Sequence, residues 1–351
     1  MAKQYIIEDQ EYSLNTLQQK AEECLAKEGL SDFLREVWLF IQEWLDDSPE
    51  VLLHTSGSTG KPKAMMMPKT YMRQSAQMTL DFFSLQPGAV ALCCLPASYI
   101  AGKMMIVRAL EGGLNLHFSA PKGNPLKKVD RVLDFVALVP LQLENILRDE
   151  IADFAKVKHL LVGGAVLSKN VEQQLQKLDV AVWHSYGMTE TVSHIALRKV
   201  NGAEKSAFYA PMPGVTITVD ENQRLEIDAP ALTPHKIKTN DLVEINQEGH
   251  FRFLGRYDNV INTGAVKVSP ELVEKKIAHL IPARFMISSE ADERLGRRLV
   301  LVIEGEESAF NLTKLWRAIK AVLPRYEQPK ALIFLPQFEE TTSGKLKRLK
   351  F

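Results

Sequence analysis

A segment rich in glycine and hydroxyl side chains, with two lysines, occupies residues 55–63 and follows a short apolar run at residues 51–53. Its candidate phosphate-binding residues are Thr55, Ser56, Gly57, Ser58, Thr59, Gly60, Lys61 and Lys63. Glycine lets backbone N–H groups approach a phosphate closely, and hydroxyl and ammonium groups supply further donors. The segment therefore predicts a phosphate-binding loop that follows a strand.

The spacing of this segment differs from that of the common ATPase loop. Two residues separate Gly57 from Gly60, and Pro62 follows Lys61. The ATPase loop has four residues between its glycines and a Ser or Thr after its lysine. A Ser/Gly-rich surface linker is the alternative interpretation, and the lysine pattern after a buried-type strand disfavours it.

A second polar segment, residues 184–191, follows the apolar run at residues 180–183. Glu190 is an acidic group at the exit of a predicted strand, and such a carboxylate can hold Mg²⁺ that bridges nucleotide phosphates. Tyr186 offers a flat apolar face on which a purine could stack. The alternative is a turn in which the glutamate caps a helix, and this segment alone does not decide between the two.

The elements that would position these segments follow a strand–helix alternation. After a helical region over the first fifty residues, short apolar runs alternate with amphipathic stretches as far as about residue 200. The predicted strands are residues 51–53, 90–95, 114–118, 135–139, 160–162 and 180–183, and the predicted helices are 71–83, 103–111, 141–148 and 169–178. This order predicts an α/β fold with a mostly parallel sheet. Ligands bind at the carboxyl ends of such strands, where we expect the 55–63 loop to lie.

Beyond residue 200 the pattern changes to short strands joined by Asn, Asp and Gly turns, which predicts a small β-subdomain. A final stretch of about ninety residues has its own helices and strands and is large enough for a small α+β core. We therefore predict a large domain over residues 1–257 and a small C-terminal domain over residues 258–351.

Composition excludes several classes of protein. Lys plus Arg and Asp plus Glu each total 43 in 351 residues, so no net charge favours nucleic acid. No apolar stretch is long enough to cross a bilayer and the polar start lacks a signal-peptide core, which predicts a cytoplasmic protein without membrane insertion. Cys93 and Cys94 lie in an apolar run and are expected to be buried thiols rather than part of a disulfide framework, as three cysteines are too few for one.

These segments together resemble the adenylate-forming enzymes, the superfamily of acyl-CoA and aryl-CoA ligases, luciferases and peptide-synthetase adenylation domains. The resemblance covers roughly residues 51–351 and is carried by the 55–63 loop and five further motifs in the family's order. These are Gly163-Gly164-Ala165, Ser185-Tyr186-Gly187-Met188-Thr189-Glu190, Asp241 in Thr-Asn-Asp-Leu, Gly255-Arg256-Tyr257-Asp258, and Ser343-Gly344-Lys345. The resemblance implies ATP, Mg²⁺ and coenzyme A as ligands, with a small carboxylic acid as the substrate.

The resemblance also implies roles for individual residues. Gly163, Gly164 and Ala165 would lie beside adenine together with Ser185, Tyr186 and Gly187, while Thr189 and Glu190 would contact phosphate and magnesium. Asp241 would accept from both ribose hydroxyls, which suits an ionised carboxylate, and Arg256 would reach the ribose or the α-phosphate. Gly264 would lie in the loop used for the second half-reaction, Asp258 at the hinge, and Lys345 would stabilise charge on the α-phosphate during adenylation. The alternative for Lys345 is a solvated residue of a basic tail without a catalytic role.

Within the family, the segment from Ser185 to Ala196 resembles the 2-succinylbenzoate–CoA ligases of menaquinone biosynthesis. A substrate with a second carboxylate needs a cation or several donors in its pocket, and Lys103, Arg108, His194 and Arg198 are the candidates. Each of the four is otherwise expected to be a surface or core-edge residue.

Two features depart from the family. Only fifty-four residues precede the phosphate loop, so we expect the sheet to be completed with less, with dimerisation as one route. Tyr99 stands where the family commonly has His, so how the carboxylate reaches the site is left undecided.

Three functions remain: an acid–CoA ligase, an adenylating enzyme that loads a carrier protein, and a nucleotide-binding protein without activity. The presence of both Lys345 and Glu190 favours catalysis.

Overall fold

The structure, a computed structural model, describes residues 3–54, 64–339, 346–349 and 351. The chain packs as two compact units, one with residues 1–216 and 228–237 and the other with residues 217–227 and 238–351. The β-subdomain therefore packs with the C-terminal residues. The division at residues 257 and 258 stays a prediction about domain organisation.

The first unit is an α/β unit, as predicted. In chain order its elements are β1 (Tyr5–Ile7), β2 (Gln10–Tyr12), α1 (Leu14–Leu25), α2 (Asp32–Leu45), β3 (Glu50–His54), β4 (Ala64–Pro68), α3 (Lys69–Phe82), β5 (Val90–Cys93), α4 (Ile100–Gly112), β6 (Asn115–Phe118), β7 (Leu133–Leu138), α5 (Pro140–Asp149), β8 (Val157–Val162), α6 (Lys169–Leu175), β9 (Ala181–Gly187), β10 (His194–Lys199) and β11 (Ala210–Pro211). Serine residues begin two of the early helices: Ser13 accepts from the N–H of Thr16, and Ser31 from that of Leu34.

A nine-stranded sheet with the order β11-β10-β9-β8-β7-β5-β6-β1-β2 forms the centre of this unit. The strands from β9 to β1 are parallel to their neighbours, while β2, β10 and β11 are antiparallel. The first fifty residues are thus only partly helical, because β1 and β2 extend the sheet beyond β6. The predicted helical region contains α1 and α2, but a three-residue strand has too short a pattern to be seen in the sequence.

The sheet is buried on both faces, as a parallel sheet must be. Alternate residues of β7 enter two separate core clusters: Phe135 and Ala137 pack in one, Val136 and Leu138 in the other. Residues of α1 to α4 fill the first cluster, and residues of α5 and α6 fill the second. Cys93 and Cys94 are fully buried, which confirms the prediction, and burial raises the pKa of the Cys93 thiol to about 12.

The strand before the phosphate loop is not part of this sheet, which corrects one expectation. β3 pairs only with β4, antiparallel, in a separate two-stranded sheet with Leu53 opposite Met65. The 55–63 loop joins these two strands and lies outside the described residues. The apolar run predicted the strand correctly, but its partner depends on contacts that a local pattern does not contain.

The second unit holds two smaller sheets and two helices. Its elements are β12 (Thr216–Val219), β13 (Arg224–Asp228), β14 (Ile237–Ile245), β15 (Phe251–Arg256), β16 (Ile261–Thr263), β17 (Val266–Val268), α7 (Pro270–Ile277), β18 (Phe285–Asp292), β19 (Gly296–Glu304), α8 (Leu312–Val322) and β20 (Ala331–Leu335). β12, β13, β14 and β15 form one sheet in that order, with β14 antiparallel to β15, and β17-β16-β19-β18 form the second sheet, with β20 parallel to β19. Both the predicted β-subdomain and the predicted α+β unit are present.

Candidate active site

The described site residues of the first unit lie at the carboxyl ends of neighbouring parallel strands. Gly163 to Ala165 follow β8, and Ser185 to Gly187 end β9, with Val162 of β8 opposite His184 of β9. Residues 55–63 and Lys345 are outside the described part of the chain, so their predicted roles stay predictions.

The two predicted adenine-side segments are in direct contact. The Ser185 hydroxyl donates to the carbonyl of Val162 over 3.2 Å. A Cβ on Gly163 would lie 2.4 Å from the Ser185 Oγ, which is far inside van der Waals contact. A side chain at residue 163 would force the Ser185 hydroxyl to move, so glycine at this position preserves the bond from Ser185 to Val162.

His184 fixes the position of the Gly163–Ala165 segment, and the sequence did not identify it. Its Nε2 lies 2.9 Å from the carbonyl oxygen of Ala165, and its Nδ1 lies 2.6 Å from the hydroxyl of Tyr209. Because a carbonyl only accepts, Nε2 carries the proton and Nδ1 accepts from the tyrosine. Burial and the charge of Arg198 lower the pKa of His184 to about 4, so this neutral tautomer is the form near neutral pH.

Glu190 lies in a short turn between β9 and β10. Residues Thr189–Thr191 form a single 3₁₀ turn, in which the Glu190 side chain is exposed and Thr189 is half-buried. The Thr191 hydroxyl is buried and accepts from the N–H of Met188. The turn therefore presents a carboxylate and a hydroxyl outward while its own polar atoms are bonded internally.

The next residue, Val192, has a backbone conformation that valine rarely adopts. Its φ and ψ are 65° and −56°, and the N–H of Ser193 donates to the carbonyl of Thr191 over 2.7 Å across it. This is a γ-turn of the rare, strained kind, and a β-branched residue with positive φ is a genuine outlier. Such strain persists only where surrounding contacts hold it, and it clusters at functional sites.

Gly187 allows the strand after this turn to return closely. A Cβ at this position would lie 2.2 Å from the carbonyl oxygen of Ser193 and 2.6 Å from the Cα of His194. Both are backbone atoms, so no side-chain movement would relieve the contact. Gly187 is therefore needed for the close pairing of β9 with the start of β10.

Beneath the turn lies a buried polar cluster of four side chains, Arg108, Thr79, Ser193 and His194. The Arg108 guanidinium donates to Thr79 Oγ1 over 3.0 Å and to Ser193 Oγ over 2.7 Å. The two ring nitrogens of His194 each lie 3.4 Å from one of these hydroxyls. Burial and the charge of Arg108 lower the pKa of His194 to about 3, which keeps the imidazole neutral.

The charge of Arg108 is not balanced by a carboxylate of the described residues. The side chain is 2% exposed, and besides the two hydroxyls its guanidinium contacts only the sulfur of Met105, at 3.9 Å. Among residues 3–54, 64–339, 346–349 and 351, no Asp or Glu oxygen lies within 4.0 Å of its nitrogens. Burial lowers the pKa of Arg108 to about 10, and the group still carries its charge near neutral pH.

Three of the four expected surface or core-edge cations are in fact buried. Arg108, His194 and Arg198 are each 9% exposed or less, because contacts between distant parts of the chain cover them. Arg198 forms an ion pair with Glu172 and lies over the ring of Tyr209. Lys103 is the fourth: it pairs with Glu43 over 3.2 Å and sits 4.2 Å from the Phe40 ring centroid.

In the second unit, the predicted ribose contacts are adjacent. Asp241 of β14 faces Arg256 of β15, and the guanidinium lies 3.3 Å from the Asp241 carboxylate. Asp258, the predicted hinge residue, accepts from the same guanidinium over 2.9 and 3.0 Å. Gly264 occupies the turn between β16 and β17 with a φ of 57°. The structure brings Asp241 and Arg256 together, and their role toward a nucleotide stays a prediction.

Within the described residues, no group of three or more His, Cys, Asp or Glu side chains could hold a metal ion. Glu190 is a single exposed carboxylate beside a threonine hydroxyl. Mg²⁺ is usually bound through one or two carboxylates together with phosphate oxygens and water. The residues present therefore fit a magnesium ion that arrives with a nucleotide.

Comparison with known proteins bears on all of these segments. The model of the family described as AMP-binding enzyme matches residues 4–230, which is more than half of the chain. The chain belongs to this family. The resemblance drawn from the motifs is thereby confirmed.

Members of this family with known sequence or structure are similar over most of the chain. An AMP-forming acyl-CoA synthetase/AMP-acid ligase II-like protein of Dyadobacter fermentans is 37% identical, with 94% of this chain and 96% of that chain covered and a TM-score of 0.63. The 2-succinylbenzoate–CoA ligase of Salmonella typhimurium is 28% identical over 84% of this chain. The matched part spans 66% of that enzyme's length. The o-succinylbenzoate coenzyme A synthetase of Bacillus subtilis, in complex with ATP and magnesium ion, has the same fold, with a TM-score of 0.75, 17% identity and coverage of 99% and 96%.

In the part of the chain that the structure describes, every helix is too short or too polar to cross a bilayer.

Proposed function

We propose that this AMP-binding family member is an ATP-dependent acid–CoA ligase and that its acid is 2-succinylbenzoate. Relatives named 2-succinylbenzoate–CoA ligase support this assignment, because they match 76–88% of this chain at 24–28% identity. Since the chain spans about two thirds of the length of the Salmonella enzyme, the activity of that whole protein is carried over as a proposal.

The proposed reaction has two steps. First, a carboxylate oxygen of the acid attacks the α-phosphorus of ATP, the bond from that phosphorus to the β-phosphate bridging oxygen breaks, and pyrophosphate leaves. The acyl-adenylate then reacts with coenzyme A: its thiol sulfur bonds to the acyl carbon, AMP leaves with the acyl oxygen, and the thiol proton passes to solvent. No oxidant or reductant is required.

The chain's own residues have distinct tasks in this proposal. Glu190 and Thr189 face outward at the end of β9 and would hold the nucleotide phosphates, with Mg²⁺ supplying charge neutralisation when it is bound. Gly163, Gly164 and Ala165, held by Ser185 and His184, would form one side of the adenine site. Residues 55–63 and Lys345 would supply further phosphate donors, Asp241 and Arg256 would hold the ribose, and Gly264 would serve the coenzyme A step.

The observation that carries the choice of acid is the unbalanced charge of Arg108. A buried guanidinium that, among the described residues, bonds only hydroxyls and a sulfur has unused capacity for a stronger acceptor. A buried charge is costly unless it is paired, so an incoming carboxylate would be strongly favoured there. The second carboxylate of 2-succinylbenzoate supplies such a group, whereas a monocarboxylic fatty acid does not.

The test is acid-dependent release of pyrophosphate from ATP, with and without coenzyme A, over a panel of aryl, succinyl-aryl and fatty acids. We expect selective release with 2-succinylbenzoate and a coenzyme A thioester as the product. Turnover of another acid would discard the substrate assignment and keep the mechanism. A product that remains the acyl-adenylate in the presence of coenzyme A would favour a carrier protein as the acceptor.

Two further proposals concern the protein as a whole. A homodimer is the first, and sedimentation velocity would reveal its mass. A cytoplasmic location is the second, and cell fractionation checks it.

A further inference from the structure

The strained turn and the buried arginine are linked by a single side chain. Ser193 follows Val192 directly, and its hydroxyl accepts from Arg108 over 2.7 Å. Its backbone N–H closes the γ-turn by donating to Thr191. The residue that holds the turn is therefore the same residue that holds the guanidinium.

The γ-turn also fixes the backbone around Glu190. The N–H of Val192 donates to the carbonyl of Thr189 over 2.9 Å, and the N–H of Thr191 donates to that of Met188 over 3.2 Å. These bonds flank Glu190 on both sides. A change in the Val192 conformation would break the first of them, and so it would move the carboxylate of Glu190.

The proton positions around Ser193 determine which partner donates in each hydrogen bond of its hydroxyl group. Thr79 donates to the carbonyl of Ser75, so its oxygen can only accept from Arg108 and from His194 Nε2–H. His194 Nδ1 is then an acceptor that faces the Ser193 hydroxyl. Ser193 accepts from the arginine and donates to the imidazole, and both partners are buried.

We propose that Ser193 is a positioning residue for the metal–nucleotide site: its bond to Arg108 keeps Val192 in the strained turn and thereby holds Glu190 in place. The inference rests on the proposed function, because it assigns Glu190 to the magnesium complex of the nucleotide. Strain at a buried position persists only if its surroundings hold it, and Arg108 is the charged group that does so here.

The first measurement is calorimetric binding of ATP without any acid, once with Mg²⁺ and once with EDTA. Ser193→Ala should raise the Kd for MgATP about five- to tenfold, in the range of typical coupling between sites, and change the Kd in EDTA less than about twofold. Ser193→Thr keeps the hydroxyl and should stay within about twofold of the wild type. An equal loss with and without Mg²⁺ would overturn the proposal, because a general disturbance of the nucleotide site would act on both.

Thr79→Val is the matched control. It also removes one hydroxyl partner of Arg108, but Thr79 lies in α3 and not in the turn. Its Kd for MgATP should stay within about twofold of the wild type. A loss as large as that of Ser193→Ala would assign the effect to Arg108 alone and reject the role of the turn.

A double-mutant cycle with Val192→Gly completes the test. Glycine adopts a positive φ without strain, so the turn no longer needs the arginine to hold it. In the Val192→Gly background, Ser193→Ala should then change the Kd for MgATP less than about twofold. A full five- to tenfold effect in that background would overturn the proposal. Wild-type protein that fails to bind MgATP would instead reject the proposed function.

Discussion

Two buried arginines in the first unit make an instructive pair. Arg108 and Arg198 are 2% and 9% exposed, and each lies near a buried, neutral histidine, His194 and His184 respectively. Their partners differ. Arg198 has the carboxylate of Glu172, the carbonyl of Ser206 and the ring of Tyr209, whereas Arg108 has two hydroxyls and a sulfur.

In the part of the chain that the structure describes, Arg198 has a carboxylate partner and Arg108 has none. Burial lowers the pKa of both arginines, but Tyr209 and Glu172 more than offset this for Arg198, whose pKa is raised. Arg108 has no such compensation, and its pKa is lowered. Among the described residues only neutral acceptors bond Arg108, which supports the proposal that this arginine binds a carboxylate of the substrate.

The largest effect on this comparison is expected from the substitution Arg108→Met. We expect kcat/KM for 2-succinylbenzoate to fall by about 10² to 10³, because truncating one partner of a buried charge pair costs roughly 2–5 kcal/mol. Pyrophosphate release measured in parallel with a monocarboxylic aryl acid, at ATP concentrations that saturate the variant, should change only a few fold. The midpoint of thermal unfolding should not fall, since removing an unbalanced buried charge relieves a cost. Equal losses for both acids would end the assignment.

Arg198→Met is the reciprocal change. It should lower the free energy of unfolding by about 2–3 kcal/mol, because Glu172 and the buried Tyr209 each lose a charged partner. The ratio of kcat/KM between the two acids should stay constant. Denaturant titration and the pyrophosphate assay measure the two quantities on the same preparation, and a changed acid ratio would contradict the structural role.

The two histidines predict the dependence of stability on pH. Both have folded pKa values, about 4 for His184 and about 3 for His194, below the ordinary value of 6.5. The unfolded chain therefore binds protons first, so the free energy of unfolding falls as the pH drops from about 6.5 toward 4. We expect a loss of roughly 2 kcal/mol for the pair between pH 6.5 and 5.5.

Urea titrations at pH 7.5, 6.5 and 5.5 measure this effect. His194→Gln should remove about half of the loss, because one of the two titrating groups is gone. A wild-type stability that is flat over this range would show that the two imidazoles have the same pKa values in the folded protein as in the unfolded chain.

The smallest effect in the comparison is expected for Glu172→Gln. The side chain of Glu172 is 34% exposed, so solvent screens its ion pair with Arg198. An amide keeps a hydrogen-bond acceptor, and the loss of unfolding free energy should be about 0.5–1 kcal/mol. Thermal unfolding at low and high salt would measure it, and raised salt should shrink the difference between the variant and the wild type.

The sequence predicted the parallel sheet and the β-subdomain, because both depend on local patterns or on the order of strands. It did not predict how the buried arginines are bonded. Arg108 contacts Thr79 and Ser193, which lie 29 and 85 residues away along the chain. Threonine and serine occur at many positions, and nothing in their local sequence indicates which ones meet a guanidinium.

The strained turn at Val192 was not predicted from the sequence either. Valine favours extended structure, so the sequence around Val192 gives no sign of a positive φ. Gly187 leaves room for Ser193 and His194 to lie close to β9, and the γ-turn at Val192 comes directly before this close pairing. His184 was passed over for a similar reason: its partners Ala165 and Tyr209 come from different parts of the chain.

The edge of the large sheet has a consequence for the order in which the protein can assemble. β1 pairs in parallel with β6, with Ile7 opposite Leu116, and the N–H of Glu8 donates to the carbonyl of Leu116. During synthesis β1 therefore waits for a partner that is made more than a hundred residues later. Contacts of such separation form late and slowly. Until β6 is made, the edge of β1 stays open to any other extended chain, so the interval in which this protein is most exposed to misassembly belongs to its synthesis and not to its folded life.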